Sequence, residues 1–493
     1  MNQAFLSSVT YFLPSITLSV TAMLLILIAA YKRSHLASNV ITIAGLLVAL
    51  VFELKQLKMD AYQTALFTFD GLSALISSCL IFSTLIVSTL LYRWFPDTDE
   101  HSEEYFILLV LALLGAMTVT ESHHFASLFL SLELMSISFI PMIAYSAKDK
   151  LALEAGIKYL VLSSTASAFM LLAIAILFAY GNSLSFADIQ AHILQNATIL
   201  TERHFNWIEN CAVILLLAAI AFKLSLAPTH LWAADVFEGS PMPTNALLAS
   251  ISKASVFVVL IRLFDAPGIS NHMEIMQLLS VIAAISMIAG NLLGLMQKNL
   301  LRLMAYSSIG HFGYILLAVL SLFPSTSLLS GQNDAVMLAK EAAVFAIIAY
   351  AITITGIFSV LMLLPGYRTL DDLSGLLWKK PLAAVTFIVL ILSLAGIPLT
   401  IGFTGKFYLA MSAINQQMWG SLSALIIGSV IGLFYYLRMV YFIVSKCPPT
   451  AHDSSSIGFG FGSIALVVLI LVITGIGLMP NLLADVIQQT LHT

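Results

Sequence analysis

The chain has 493 residues, of which 60% are hydrophobic and only 9% charged, and its mean hydropathy is +1.00. A soluble domain carries about 25% charged residues, so this composition excludes a chain that faces water on all sides. The net charge of -4 is thinly spread and excludes a nucleic-acid partner held by a basic face.

Apolar stretches of roughly 20 residues, the length a bilayer core demands, recur from end to end. Residues 1–9 contain no Lys or Arg, and Lys32 and Arg33 follow the first apolar run. That order is expected of an uncleaved first span with its N-terminus outside. Hydropathy with breaks at charged or Gly/Pro-rich turns predicts about fourteen spans. They lie near 10–31, 36–54, 70–92, 105–121, 124–145, 157–180, 211–229, 244–264, 275–296, 301–322, 340–364, 381–411, 420–444 and 457–480. Lipid-facing backbone must satisfy its own hydrogen bonds, so the expected fold class is an all-α polytopic bundle.

Orientation follows from the Lys/Arg bias of the connections. Alternate connections beginning with the first hold Lys32, Arg33, Arg93, Lys148, Lys150, Lys298, Arg302, Arg368, Lys379, Lys380 and Lys446, while the opposite set holds Lys55, Lys58, Arg203, Arg262 and Lys340. Eleven against five puts the first set in the cytoplasm and both termini outside. The acidic 97–104 stretch does not oppose this, because Asp and Glu contribute little to the bias. The 181–210 connection, with Asn182, Asn196 and Asn206, reads as a long polar outer loop.

Five cations remain within or at the edge of spans: Lys158, Lys223, Lys253, Lys406 and Arg438. Each costs roughly 2.5–3.5 kcal/mol at the centre of a membrane helix. Glu133, in SLFLSLELMSISFIP, is the acidic residue placed mid-span. Lys158 and Arg438 could equally snorkel or brace helices. Lys223, Lys253 and Lys406 have apolar residues on both sides and read as functional.

Two spans are interrupted. In AFKLSLAPTHLWAADVFEGSPMP, Pro228 follows Lys223; in LSLAGIPLTIGFTGKFYLA, Gly396 and Pro398 precede Gly402, Gly405 and Lys406. Proline removes a donor and clashes with the carbonyl four residues back, so the carbonyls near Leu224 and Leu394 need new partners or a hydrated cavity. Both breaks carry Ser-Leu-Ala (Ser225–Ala227, Ser393–Ala395), and they lie five spans apart, which reverses their direction. That pattern predicts an inverted repeat of two five-helix units with the site at the breaks. The expected division is 1–104 for the first three helices, 105–264 and 275–444 for the two repeats, and 457–493 for the last helix and tail.

His311, among Ser307, Ser308 and Tyr314, could relay protons near neutral pH or serve as a hydrogen-bonded packing residue. His230 and Trp232 follow the first break, and His123 and His124 lie at a span edge. Cys79, Cys211 and Cys447 are far apart and suggest small apolar filler, not an iron–sulfur or zinc site. GFGFGS at 458–463 lacks the spacing of a dinucleotide fingerprint, and there is no P-loop.

The stretches SLELMSISFIP, GIKYLVLSSTASAFMLL, FKLSLAPTHLWAADVFEGSPMP, ISKASVFVVLIR, YSSIGHFGYILLA, AGIPLTIGFTGKFYLA and FYYLRMV resemble the antiporter-like membrane subunits of NADH–quinone oxidoreductase (respiratory complex I). The resemblance runs through nearly the whole chain and extends to Mrp-type cation/proton antiporters. The other branches carry a second histidine where this chain has Phe237, and Glu238-Gly239-Ser240-Pro241 follows, as in the bacterial branch designated N. The chain ends about a dozen residues after the last span, leaving no room for the long lateral helix of the L branch. Ala234 departs from that branch, which usually has proline there, so the backbone after the break is open. The resemblance implies that Glu133 matches the helix-five glutamate and Lys223 the lysine of broken helix seven. Lys158 and Lys253 match the lysines of helices six and eight, and Lys406 that of broken helix twelve. His311 falls where the family carries a central polar relay.

The resemblance further implies a bacterial inner-membrane location and proton translocation driven at a distance by quinone reduction. No cofactor is expected on this chain; NADH, flavin, iron–sulfur clusters and quinone belong elsewhere in the complex. The expected partners are other membrane subunits, lipid and protons, with no nucleic acid. An Mrp-type sodium/proton antiporter subunit is the alternative, and a scaffold without transport is a third reading that leaves the buried charges unexplained.

The topology is open to direct test. Single cysteines at positions 150 and 196, in a chain without its three native cysteines, are expected to react with an impermeant thiol reagent from opposite sides of the membrane. Labelling of both from one side would reverse or break the assigned orientation.

Overall fold

The computed structural model describes residues 2–95, 102–146, 148–199, 207–265, 273–322, 332–446 and 461–492. Cys447, Asn206 and parts of the 97–104, 181–210 and 458–463 segments lie outside the described residues. The chain opens with α1 (Asn2–Tyr31) and α2 (His35–Gln56), then a hairpin of β1 (Tyr62–Gln63) and β2 (Thr68–Phe69), antiparallel with Tyr62 opposite Phe69. Next come α3 (Gly71–Trp94), α4 (Ser102–Glu121), α5 (Phe125–Ile143), α6 (Lys150–Gly181) and α7 (Phe186–Ile199). The first interrupted region is α8 (Trp207–Leu224), α9 (Leu231–Gly239) and α10 (Met242–Leu247), and a π turn at Leu248–Ser252 leads into α11 (Lys253–Asp265). After α12 (Met273–Leu295), α13 (Leu300–Leu320) and α14 (Gln332–Met362), the short α15 (Leu376–Lys379) precedes the second interrupted pair, α16 (Pro381–Ala395) and α17 (Ile401–Asn415). The chain closes with α18 (Trp419–Val444), α19 (Phe461–Leu478) and α20 (Asn481–His492).

The all-α expectation holds, with the two-residue hairpin as the departure. Among the described residues twelve helices are long and apolar enough to cross a membrane, and α19 with α20, bent by 80°, makes a thirteenth. Hydropathy reads fourteen; α16, at 15 residues, is a shorter apolar helix followed after a break by α17.

Two elements differ from the sequence reading. The 181–210 connection contains α7, whose Phe186, Ile189 and Ile193 fall on one helical face and are buried. Phe186 meets Phe125 at 4.7 Å between ring centroids, and Gln190 Nε2 donates to the Leu263 carbonyl at 2.9 Å. The hairpin connection is likewise structured: Tyr62 stacks on Tyr11 at 4.8 Å and Phe69 meets Phe12 edge-on at 4.7 Å, so this segment packs against α1.

The core sits around α13, α14 and the Met242–Asp265 segment, which are almost wholly enclosed, whereas α1, α2, α12 and α18 turn most of their surface outward. Polar residues on the enclosed helices (Lys253, Ser308, His311, Tyr350) therefore face protein, not lipid. Close helix approach sets these positions. At the second break a Cβ on Gly402 would lie 1.9 Å from the Ser393 carbonyl oxygen, whereas one on Gly420 would meet nothing within 4 Å. Gly402→Ala must therefore push α17 off α16. We expect it to lose at least the ~1–3 kcal/mol typical of overpacking, and Gly420→Ala to be neutral, both read from the thermal midpoint of the solubilised protein.

Candidate functional site at the helix breaks

Both interrupted helices end in the same device. At the first, Ser225 takes φ +60°, its N–H reaches the Phe222 carbonyl at 3.0 Å, and the Leu226 N–H reaches the Ala221 carbonyl at 2.9 Å. At the second, Gly396 has φ +81°, its N–H reaches the Ser393 carbonyl at 3.0 Å, and the Ile397 N–H reaches the Leu392 carbonyl at 3.0 Å. These are paired Schellman endings. They put Ser225 and Gly396 in equivalent positions, so the Ser-Leu-Ala echo is not a structural equivalence. Ser225–Ala227 forms the first break itself, whereas Ser393–Ala395 is the last turn before the second. The lysines are also placed differently, Lys223 before its break and Lys406 after.

The peptide groups freed at the breaks find protein partners of different kinds. At the first, the Trp232 indole N–H donates to the Phe222 carbonyl at 3.1 Å, and the Ala227 N–H donates to Ser286 Oγ at 2.9 Å. At the second, Lys406 Nζ donates to the carbonyls of Leu394 at 2.8 Å and Ala395 at 3.0 Å. His311 Nε2 lies 3.2 Å from the same Leu394 oxygen, and its Nδ1 lies 2.9 Å from the Ser307 carbonyl. A cavity lined by His311, Tyr314, Tyr350, Ser393, Leu394 and Lys406 borders this break. With Ala234 in place of proline, α9 runs unbroken from Leu231 to Gly239.

Lys223 is buried and points away from its break, donating to Ser136 Oγ of α5 at 2.5 Å and Ser163 Oγ of α6 at 2.8 Å. Glu133, one turn before Ser136 on α5, accepts from Ser167, one turn beyond Ser163 on α6. The acid and the base thus hold adjacent rungs of one α5–α6 seam, each through a serine hydroxyl, without pairing directly. Lys253 follows the π turn and is fully buried; Nζ donates to Ser308 Oγ at 2.6 Å and lies 5.2 Å from the Phe312 ring centre. Tyr350 OH donates to the same Ser308 oxygen at 2.7 Å, and its ring lies 5.5 Å from that of His311. Lys253, Ser308, Tyr350, His311 and Lys406 therefore form one polar string across α11, α13, α14 and α17.

Lys158 stands apart from this string. It pairs with Glu154 and Asp235, both at 2.7 Å, and Asp235 also accepts from Arg302 at 2.9 Å. Arg302 continues to Glu238 at 2.8 Å, and a cavity opens among these charges. Arg438 Nη2 donates to the Gln297 carbonyl at 2.7 Å, past the end of α12. Lys158 thus links α6 to α9, and Arg438 links α18 to the turn after α12. Sequence reasoning missed the serine partners, Tyr350, the role of Trp232 and the π turn, a feature often found at functional sites. The Ser-rich stretch after Lys158 and the Ser307–Ser308 pair were the visible signals. Cys79 is half-buried in α3, and Cys211 is exposed on α8.

Twelve or thirteen candidate membrane spans among the described residues, with helix breaks beside Lys223 and Lys406, define an antiporter-type polytopic membrane protein. The chain belongs to the family described as NADH:quinone oxidoreductase/Mrp antiporter, whose sequence profile matches residues 122–432. It is 42% identical over 480 residues to NADH-quinone oxidoreductase subunit N of Shewanella woodyi, covering 97% of this chain and 99% of that one. A chain of respiratory complex I from Thermus thermophilus superposes with a TM-score of 0.80 at 26% identity, covering 97% of this chain and all of that one. A chain of the Mrp complex from a Dietzia species gives 0.82 at 18% identity, covering 98% and 97%, a likeness of fold.

The Trp232 contact yields a stability test. Trp232→Phe keeps the ring packing against Tyr159 and Phe222 but removes the N–H that serves the Phe222 carbonyl. The Phe222 carbonyl keeps the Ser225 N–H, so the variant loses one net hydrogen bond, about 0.5–1.5 kcal/mol. Its thermal midpoint is expected to fall slightly, and an unchanged midpoint would mean water replaces the indole.

Proposed function

We propose that this chain is a proton-translocating membrane subunit of a bacterial NADH–quinone oxidoreductase, carrying protons through Glu133, Lys223, Lys253, His311 and Lys406 and holding no redox centre. The observation that carries the reading is the placement of Lys223 and Lys406 beside the two helix breaks and of Lys253 beside the π turn, each on hydroxyl or carbonyl oxygens. Such groups are expensive in an apolar interior and mark ion pathways. The 42% identity to a protein named subunit N supports this branch over the Mrp-type alternative, whose likeness at 18% is one of fold.

In this reading Glu133 and Lys223 form the switching pair. Their serine partners lie on the same seam, so a small slide of α5 along α6 changes their separation and the lysine's hold on its proton. Moving one charge against 100 mV costs about 2.3 kcal/mol, and one pKa unit is worth about 1.36 kcal/mol. A swing of roughly 1.7 units per 100 mV lies within the range that buried groups reach. Released protons pass from Lys253 by way of Ser308, Tyr350 and His311 to Lys406, with water completing the gaps. Lys158 tunes this path through its ion pairs with Asp235 and Glu154. The units 105–264 and 275–444 act as opposed halves, with both termini in the periplasm and other membrane subunits alongside.

Proton pumping per NADH oxidised in membrane vesicles tests this. Lys223→Met and Glu133→Gln are expected to suppress pumping severely in an assembled complex, and Lys223→Arg to fail as well, because arginine does not release its proton. An unchanged ratio in Lys223→Met, with assembly verified, would remove Lys223 from the path.

A further inference from the structure

A second group of buried acids lies far from the breaks, where α2, α4 and α11 end beneath the 57–70 hairpin. Glu53 on α2 is 1% exposed, and both its carboxyl oxygens are buried without a hydrogen-bond partner. The charged neighbour acting on it is Glu121, the last residue of α4, itself 4% exposed. Lys55 and Lys58 at this end are exposed, and the part-buried cation is already committed. Arg262 of α11 donates to Asp70 through both terminal nitrogens, at 2.9 and 2.8 Å, and its Nε donates to the Thr120 carbonyl at 3.0 Å. Gln56, one turn beyond Glu53, spends its amide on the Tyr11 carbonyl at 2.8 Å. From the α4–α5 connection, His123 also faces the Arg262 charge.

Two carboxylates sharing a dry site cannot both ionise, and an ionised Glu53 would have neither donor nor counter-ion. We infer that Glu53 and Glu121 form a buried carboxyl pair that binds a single positive charge, carried as a proton, at the end of the bundle covered by the 57–70 hairpin. Glu121 couples the pair to the Arg262–Asp70 bridge, and Arg262 lies on the helix that begins at Lys253. The pair rests on the burial of both acids, the unpartnered Glu53 oxygens and the commitment of Arg262, and does not depend on proton transport through the breaks.

Infrared difference spectroscopy of the purified complex at neutral pH, in sodium-free and sodium-rich buffer, tests the pair. Wild type is expected to show a protonated-carboxyl C=O band that moves on deuterium exchange, ignores sodium, and is lost in Glu53→Gln or Glu121→Gln. Absence of that band difference overturns the inference. A band that vanishes when sodium is added also overturns it, because a metal cation then takes the proton's place. Should the glutamine variants not assemble, modification of the wild type by a hydrophobic carbodiimide, which needs a protonated carboxyl, decides. An adduct mapped to Glu53 or Glu121 by mass spectrometry supports the pair, and no adduct at either refutes it.

Discussion

An unmatched peptide group inside an apolar bundle is costly, and at each helix break side chains from neighbouring segments meet peptide groups that the helix no longer serves. That constraint accounts for residues that would otherwise look unrelated. Trp232 is held where its indole meets the Phe222 carbonyl, and Ser286 on α12 faces the Ala227 amide. Lys406 is drawn onto the Leu394 and Ala395 carbonyls. Gly402 is required because α17 approaches the last turn of α16 too closely for a side chain. The same Schellman ending thus leads to two different chemistries, with an aromatic donor closing the first break and an ammonium the second.

The lysines follow from the same logic of matched donors. Lys223 and Lys253 meet neutral hydroxyls and Lys406 meets carbonyls, so none is locked against a direct carboxylate partner. A buried ion pair would hold its proton against a counter-charge; hydroxyls and carbonyls stabilise the ammonium while leaving the proton removable. Lys158 and Arg302 show the contrast. Their pairs with Glu154, Asp235 and Glu238 are direct and part-exposed, which suits bracing between α6, α9 and α13.

Much of this was legible in the sequence where the physics is local. Apolar run length marked the spans, and Pro228, Gly396 and Pro398 marked the breaks. What escaped depends on tertiary contact. The helix Phe186–Ile199 was read as loop because its polar residues dominate composition, although Phe186, Ile189 and Ile193 keep helical spacing. The Ser-Leu-Ala echo drew attention to the correct regions for a reason that the cap geometry does not support. Glu53 and Glu121 sit at span edges, where charge is cheap, and only the covering hairpin and the commitment of Arg262 to Asp70 make them costly. No residue preference signals the π turn before Lys253.

His311 has a bookkeeping of donors that its position makes unavoidable. Both ring nitrogens face carbonyl oxygens, Ser307 on one side and Leu394 on the other, and carbonyls only accept. A neutral imidazole owns a single N–H and serves one of them; the doubly protonated ring serves both. With hydrogen on Nε2 the ring ties α13 to the Leu394 carbonyl at the end of α16, beside the Lys406 ammonium; with hydrogen on Nδ1 alone it bonds only within α13. At this point in the bundle, the grip between two helices depends on which ring nitrogen carries hydrogen.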